Sequence, residues 1–300
     1  MNEFACEVRS GLSKGQKDLP SKYLYDDLGS ALFDAITQLA EYGLTRADQR
    51  ILDRHAADLP REFPTVAEFG SGSGKKARTI LDALAPESYY PIDLSPHALA
   101  RCRRELGGLA RVMPVEASYL DGLDRIQRNG EPVLLLFLGS TIGNFEGRCR
   151  ADFLAQVRQR LRCGDALLIG FDLVKPVETM IEAYDDPTGV TAAFNLNLLG
   201  RINRELGGDF DVRAFAHEAR WDDAGQRIEM HLRSRQRQTV TIRDCEIRAQ
   251  LEAGETIWTE SSHKFRAGDL GQMAREAGFR EDEQWIDEEW PFAESFWRAT

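Results

Sequence analysis

The chain has 300 residues, 42% of them apolar and 29% charged, which excludes a disordered or collagen-like polymer and fits two domains or one large α/β domain carrying an insertion. Its 38 basic and 49 acidic residues leave a net charge of −11, the wrong sign for neutralising nucleic-acid phosphates and suited to a small cationic ligand. The start MNEFACEVRSGLSKGQKDLP holds no apolar targeting segment, and no run approaches the ~18–20 apolar residues that cross a bilayer, so a cytoplasmic protein without a membrane partner is expected. Five cysteines and five histidines are scattered without CxxC or HExxH spacing, so the thiols read as reduced and structural and no metal is expected.

Strand and helix signals begin clearly near residue 64. Pro64 to Phe69 reads as a short buried strand that runs into the glycine loop Gly70-Ser71-Gly72-Ser73-Gly74, and Ile80, Leu81 and Leu84 mark the helix after it. Tyr89 to Leu94 reads as a second strand ending on Asp93, with Ser95 placed to cap a helix whose first residue is Pro96. A third short strand is expected from Arg111 to Val115. The unbroken apolar run Val133 to Leu138 has the pattern of a strand buried on both faces of a parallel sheet. It leads into Gly139-Ser140-Thr141-Ile142-Gly143-Asn144. A helix bearing Phe153, Leu154, Val157 and Leu161 follows, then another buried strand from Ala166 to Phe171. Alternation of this kind is a doubly wound α/β core. Beyond Asp172 the rhythm changes to a helical region, Val177 to Glu205, broken near Asp185-Asp186-Pro187. Extended segments at about Arg227 to Arg233 and Thr239 to Ile247 come next. This part, with residues 1–45, is assigned to a second α+β lobe (1–45 and 176–264), the core being 46–175 and 265–300.

The glycine loop brings backbone close to a ligand at the carboxyl end of a strand, where open α/β sheets bind nucleotides. By itself it fits a dinucleotide dehydrogenase or an S-adenosylmethionine methyltransferase equally, and Asp93 can hold a ribose diol in either. Two features separate them. Gly74 comes one residue too early for GxGxxG, which weakens a pyrophosphate site. The carboxamide of Asn144, closing the fourth strand, can donate to a carboxylate and accept from an ammonium, as recognition of an amino acid requires.

Several segments together carry a more specific likeness: Tyr25-Asp26-Asp27-Leu28-Gly29-Ser30-Ala31-Leu32-Phe33, Glu41-Tyr42, Glu68-Phe69-Gly70-Ser71-Gly72, Phe137 to Asn144, Ala183-Tyr184-Asp185-Asp186 and Thr259-Glu260-Ser261-Ser262-His263-Lys264-Phe265. In this order, over about residues 20 to 280, the chain resembles the histidine-specific Nα-methyltransferases of ergothioneine biosynthesis. The resemblance implies a Rossmann-like class I methyltransferase core with a second substrate-binding lobe. It also implies three methyl transfers from S-adenosylmethionine to the α-amino nitrogen of L-histidine, giving hercynine. By position it assigns the methyl donor to Gly70, Ser71, Gly72, Lys76 and Asp93. Where the family tends to show Asp-Phe near the adenine, this chain has Ser118-Tyr119, which leaves Ser118 or Glu116 for that contact. Asn144 and Tyr184 match residues that hold the amino-acid end of histidine, while Tyr42, Met230, Glu260 and Ser262 match the imidazole side. Tyr25 and Gly139 match neighbours of the reacting nitrogen and, with Asn144, form the expected catalytic set. Gly43 replaces a common tyrosine, with no role attached.

Outside that resemblance, Glu260 reads as one of 49 acids on the surface, Met230 as core filling, and Tyr25 and Tyr42 as ordinary half-buried tyrosines. The acidic stretches Glu281-Asp282-Glu283 and Asp287-Glu288-Glu289 read as a solvated face. A methyltransferase for another amino acid, a non-catalytic amino-acid or adenosyl-ligand binding protein and a dinucleotide oxidoreductase are the rival readings. The favoured one is a monomer acting on a small molecule, with no nucleic acid as partner.

Overall fold

Every residue of the strand Val133–Phe137 is buried, because apolar layers cover both of its faces. Leu134 and Leu136 pack with Val66, Leu168, Leu52 and Ile80, and Leu135 and Phe137 pack with Ala67, Leu167, Phe153 and Leu270. The unbroken apolar run thus arises from two opposite-facing sets of side chains in one strand. In the computed structural model, which describes residues 2–72, 74–128 and 130–300, the chain divides into two compact units. One comprises Leu44–Val174 with Lys264–Thr300, the other Met1–Gly43 with Lys175–His263.

The first unit is built on one sheet. Its strands stand in the order Phe279–Asp287, Phe292–Ala299, Ala166–Asp172, Val133–Phe137, Thr65–Phe69, Ser88–Asp93 and Arg111–Val112. The strand Phe292–Ala299 runs against the others, and the remaining pairs from Ala166–Asp172 onward are parallel. The parallel strands therefore end at one common edge, where the glycine loop, Asp93 and the turn after Phe137 lie. The expected single strand from Arg111 to Val115 is two short ones, Arg111–Val112 and Val115–Glu116, both paired with Ser88–Asp93 and separated by Met113-Pro114. Proline has no N–H to continue the ladder. Ser95 caps the helix Pro96–Leu106 by accepting from Ala98 N at 3.2 Å. Not all of the acidic carboxyl-terminal stretch is solvated: Asp287 is 1% exposed and takes two hydrogen bonds, of 2.8 and 2.6 Å, from the guanidinium of Arg50.

The second unit carries a four-stranded sheet in the order Lys17–Asp18, Thr256–His263, Arg227–Ser234, Phe215–Asp222 and a separate hairpin, Gln238–Ile242 with Ile247–Leu251. The segment expected to be extended from Thr239 to Ile247 is extended as far as Ile242, in the first strand of that hairpin, and then turns, with a 3-10 turn at Arg243–Cys245 and Glu246 at φ +50° reversing the chain into Ile247. The helical region is broken where expected, into Val177–Tyr184 and Val190–Leu206. Asp186 makes the break. Burial alone would raise its pKa, but hydrogen bonds from Thr188, Thr191 N–H and Val190 N–H override burial and push it down to about 2.

At the base of the first unit, Asp165 accepts from Val133 N at 2.8 Å and Arg162 N at 2.8 Å and pairs with the nearly buried guanidinium of Arg128. It anchors the start of the central strand and compensates a buried cation. Replacing Asp165 by Ala is expected to cost about 3–5 kcal/mol, because the cation and two amides lose their acceptor together. Urea unfolding checks this.

Candidate active site

At the carboxyl edge of the first unit the glycine loop depends on left-handed backbone. Gly70 has φ +65°, Gly72 +49° and Gly74 +72°. A Cβ at Gly74 would stand 2.7 Å from Leu106 Cδ1, so this glycine allows the helix Lys75–Leu84 to pack against Pro96–Leu106. A Cβ at Gly72 would meet nothing within 4 Å, so that part of the loop borders open space. Ser71 is buried, and Ser73 lies outside the described residues. Asp93 fixes the loop: its Oδ2 accepts from Gly72 N at 3.2 Å and its Oδ1 from Ser95 N at 2.9 Å. Each oxygen keeps acceptor capacity, as two vicinal hydroxyls need. Glu116 stands opposite Asp93 on the neighbouring strand and is exposed.

Ser118 and Tyr119 differ in kind. Ser118, exposed at the start of the helix Tyr119–Asp124, donates to Asp121 Oδ2 at 2.7 Å. The Tyr119 ring stacks on Phe69 at 5.0 Å and meets Phe137 edge-on at 5.5 Å, and its hydroxyl lies 3.2 Å from where a Gly70 Cβ would be. Tyr119 is therefore a floor beneath the loop. Burial raises its pKa, so it stays a neutral hydroxyl.

Lys76, on the helix that follows the loop, pairs with Asp48, its Nζ 2.8 Å from Asp48 Oδ2. Burial opposes the Lys76 charge, yet the Asp48 carboxylate raises its pKa overall. The same Oδ2 accepts from Gly139 N at 3.0 Å. Gly139 and Ser140 are both left-handed, at φ +73° and +56°, and Ser140 Oγ accepts from Asp172 N at 2.8 Å. This turn leads directly into the 3-10 turn Thr141–Asn144 that carries the carboxamide of Asn144. Glu68, before the loop, is buried; desolvation lifts its pKa to about 7, against the Tyr89 hydroxyl that donates to it and the nearby Lys76 charge.

Of the residues assigned to the amino-acid substrate, Tyr42, Tyr184, Met230, Glu260 and Ser262 lie in the second unit with Tyr25, and Asn144 lies in the first. Tyr25 ends the 3-10 turn Ser21–Leu24 with its ring edge-on to Phe33 at 5.5 Å and to Phe194 at 5.4 Å. Phe33 in turn meets Tyr42 at 6.3 Å, and Tyr42 meets Tyr184 at 6.0 Å. Tyr25 is 38% exposed, Tyr42 7% and Tyr184 8%. The hydroxyls of Tyr184 and Ser262 are 2.7 Å apart. Ser262 and Glu260 are two apart on the strand Thr256–His263 and so share a face, and Met230 stands directly across from Glu260. Glu260 is 8% exposed and Met230 2%, which corrects the reading of Glu260 as a surface acid. The register shifts between Trp258 and Glu260, where Thr259 Oγ1 donates to Met230 O at 3.0 Å. Asp26 secures Tyr25 from below by accepting from Gly29 N, Asn197 Nδ2 and Arg204, each at 2.7 Å.

Sequence reasoning missed Asp48, Phe33, Phe194, Asn195 and His217. For Asp48 the only signal is its place among apolar residues of the helix Leu44–His55. His217 Nε2 lies 2.7 Å from Tyr184 O and its Nδ1 2.9 Å from Asn195 Nδ2, which itself lies 3.2 Å from His231 O. Those partners fix the neutral tautomer with hydrogen on Nε2. Burial lowers the His217 pKa and outweighs the opposing influence of Tyr184 O and Asp185. Among the described residues no cluster of His, Cys, Asp or Glu can hold a metal ion, and no helix is long and apolar enough to cross a membrane.

Since His217 is depressed in the folded chain, it leaves stability intact above the unfolded value of about 6.5 and removes it as pH falls below that toward the folded pKa. The melting temperature should therefore drop as pH falls from about 7.5 to 5.5, and less steeply in His217→Gln. Thermal unfolding of both proteins across this range is the check.

Comparison with known proteins adds a family to this geometry. A family model of histidine-specific, S-adenosylmethionine-dependent methyltransferases matches residues 4–299. The chain is 43% identical over 292 residues to a histidine N-alpha-methyltransferase of Mycobacterium tuberculosis and 40% identical over 290 residues to that of Mycolicibacterium smegmatis, covering 94% of this chain and 90% of each relative. It is 30% identical to ergothioneine biosynthesis protein 1 of Schizosaccharomyces pombe, over 87% of this chain and 36% of that longer one. A match spanning almost the whole sequence, on a mostly parallel α/β sheet with its glycine loop and terminal acid in place, identifies this chain as a member of the S-adenosylmethionine-dependent, histidine-specific methyltransferase family.

Proposed function

We propose that this methyltransferase moves three methyl groups in succession from S-adenosylmethionine to the α-amino nitrogen of L-histidine, giving hercynine for the ergothioneine pathway. The observation that carries the substrate choice is the buried pairing of Glu260 with Met230 beside Ser262 and Tyr184, because a carboxylate and hydroxyls in an otherwise apolar wall match an imidazole. That the two mycobacterial relatives are histidine N-alpha-methyltransferases supports the same choice.

The residues of the first unit fit the methyl donor. The left-handed Gly70 and Gly72 keep backbone clear of a bound ligand, the open space at Gly72 leaves room for one, and Asp93 offers acceptors for a ribose diol. Ser71, Lys76 and, at the adenine end, Ser118 or Glu116 complete the set, with Tyr119 supporting it from below. When bound, S-adenosylmethionine supplies an electrophilic sulfonium methyl. The chain's part is to hold the amine unprotonated and aligned, since alignment at near-attack distance supplies much of the acceleration in such a displacement. Asn144 and Tyr184 are each assigned to the amino-acid end of the substrate. Tyr25 and Tyr42, through their ring faces, stabilise the cation that builds up with each methyl, at about 0.5–2 kcal/mol each. Gly139 leaves space at the reacting nitrogen. The protein is taken to work as a cytoplasmic monomer, without metal or nucleic acid.

Incubation with S-adenosylmethionine and histidine should yield products carrying one, two and three added methyl groups by mass spectrometry. Binding without turnover would favour an amino-acid binding protein, and methylation of a different amino acid would move the specificity elsewhere. The double change Glu260→Ala with Met230→Val should lower kcat/KM for histidine about 10- to 150-fold, the worth of a charged hydrogen bond, and admit larger aromatic amino acids. Unaltered histidine turnover in that variant would refute the pocket assignment.

A further inference from the structure

Two carboxyl groups in the first unit have no exposed surface, and neither is assigned to substrate or donor: Asp48 and Glu294. The alternation of the strand Phe292–Ala299 places Glu294 on the same sheet face as Phe296, and that face is covered by the helices that carry Asp48 and Lys76. Glu294 stands across from Gly170, where any Cβ would come within 2.6 Å of its Oε1 and 3.2 Å of Gly139 N. Bare glycine at position 170 thus makes the room for this acid beside the Gly139 turn. Asp48 Oδ2 is fully engaged, by Lys76 Nζ at 2.8 Å and Gly139 N at 3.0 Å. Among the described residues, Asp48 Oδ1 and both oxygens of Glu294 are buried and receive no hydrogen bond.

Two ionised carboxylates here would leave three buried acceptors without a donor and one lysine to balance two negative charges, with Glu68 nearby as a third acid. A single proton removes the conflict. On Glu294 it turns one acceptor into a donor, and the unpaired Asp48 Oδ1 is the acceptor left to take it. We propose that Glu294 is a neutral carboxylic acid that donates its proton to Asp48 Oδ1, and that this pair is the positioning element for Lys76 Nζ and the Gly139 amide at the carboxyl edge of the first unit's sheet. Burial, then the Asp48 charge and the hydrogen bond to Asp48, push the Glu294 pKa well above the carboxylate range, in keeping with a proton held there. Like charges that cannot both ionise commonly resolve in this way. Asp48 and Glu294 act through Lys76 and Gly139, so the positioning part rests on the assignment of Lys76 to the methyl donor and of Gly139 to the neighbourhood of the reacting nitrogen.

Infrared spectroscopy of the whole protein in D2O tests the proton directly. Wild type should show a carboxylic-acid C=O band at about pH 9, where Glu68 is ionised, and Glu294→Gln should abolish it. No such band, or one that survives the substitution, overturns the proposal, and if the variant does not fold the wild-type band alone decides. Calorimetric titration with S-adenosylmethionine tests the positioning. Glu294→Gln, whose amide still donates to Asp48, should stay within about twofold of wild-type affinity, while folded Glu294→Leu should lose at least about tenfold. Equal affinities for Gln and Leu would overturn the positioning role. Failure of wild type to bind S-adenosylmethionine at all would instead refute the donor-site reading, with the infrared result still standing.

Discussion

The central constraint on the first unit is a parallel sheet covered by apolar side chains on both faces, with Val133–Phe137 at its middle. Within such a sheet a polar side chain has neither water nor spare backbone to pair with, so polar chemistry is confined to strand ends or to groups that compensate one another. Both solutions occur. Asp93 stands at a strand end and braces the glycine loop, whereas Asp48, Lys76, Glu68 and Glu294 form a compensated cluster beneath that edge. Asp48 is the joint between the two solutions, since one oxygen holds both a lysine and the backbone turn that leads to Asn144.

The second unit solves a different problem, presenting a few polar groups in an aromatic wall. An antiparallel sheet does this by alternation, which puts Glu260, Ser262 and the facing Met230 on one side. Behind them the tertiary hydrogen bonds are local and specific. Tyr184 is held at its hydroxyl by Ser262 and at its carbonyl by neutral His217, which Asn195 orients in turn. A tyrosine fixed at both ends keeps its ring direction.

Much of the first unit was legible from residues alone. The glycine loop, the acid ending the second strand, the Ser95-Pro96 helix start and the doubly buried apolar runs are local signals, each tied to backbone geometry within a few residues. The second unit was less readable. Phe215–Asp222 and Thr256–His263 mix polar and apolar residues without a clean period, and the hairpin turn at Arg243–Cys245 was hidden inside an extended-looking stretch. Glu260 shows the limit most sharply: composition makes it one acid among 49, and only its family resemblance singled it out before the fold showed it to be buried.

The sequence by itself determined the α/β core, the place of the loop and the family, because these follow from short-range periodicity and from motifs kept in one order along the chain. Which acids are buried was decided only by tertiary structure. Asp48, Glu68, Asp287 and Glu294 look alike in sequence to the exposed acids around them, and what separates them is the partner that a distant segment brings: Lys76, Tyr89, Arg50 and, for Glu294, the Asp48 carboxylate itself. Burial of a charge is a property of its neighbours in space, and those neighbours exist only once the sheet has assembled.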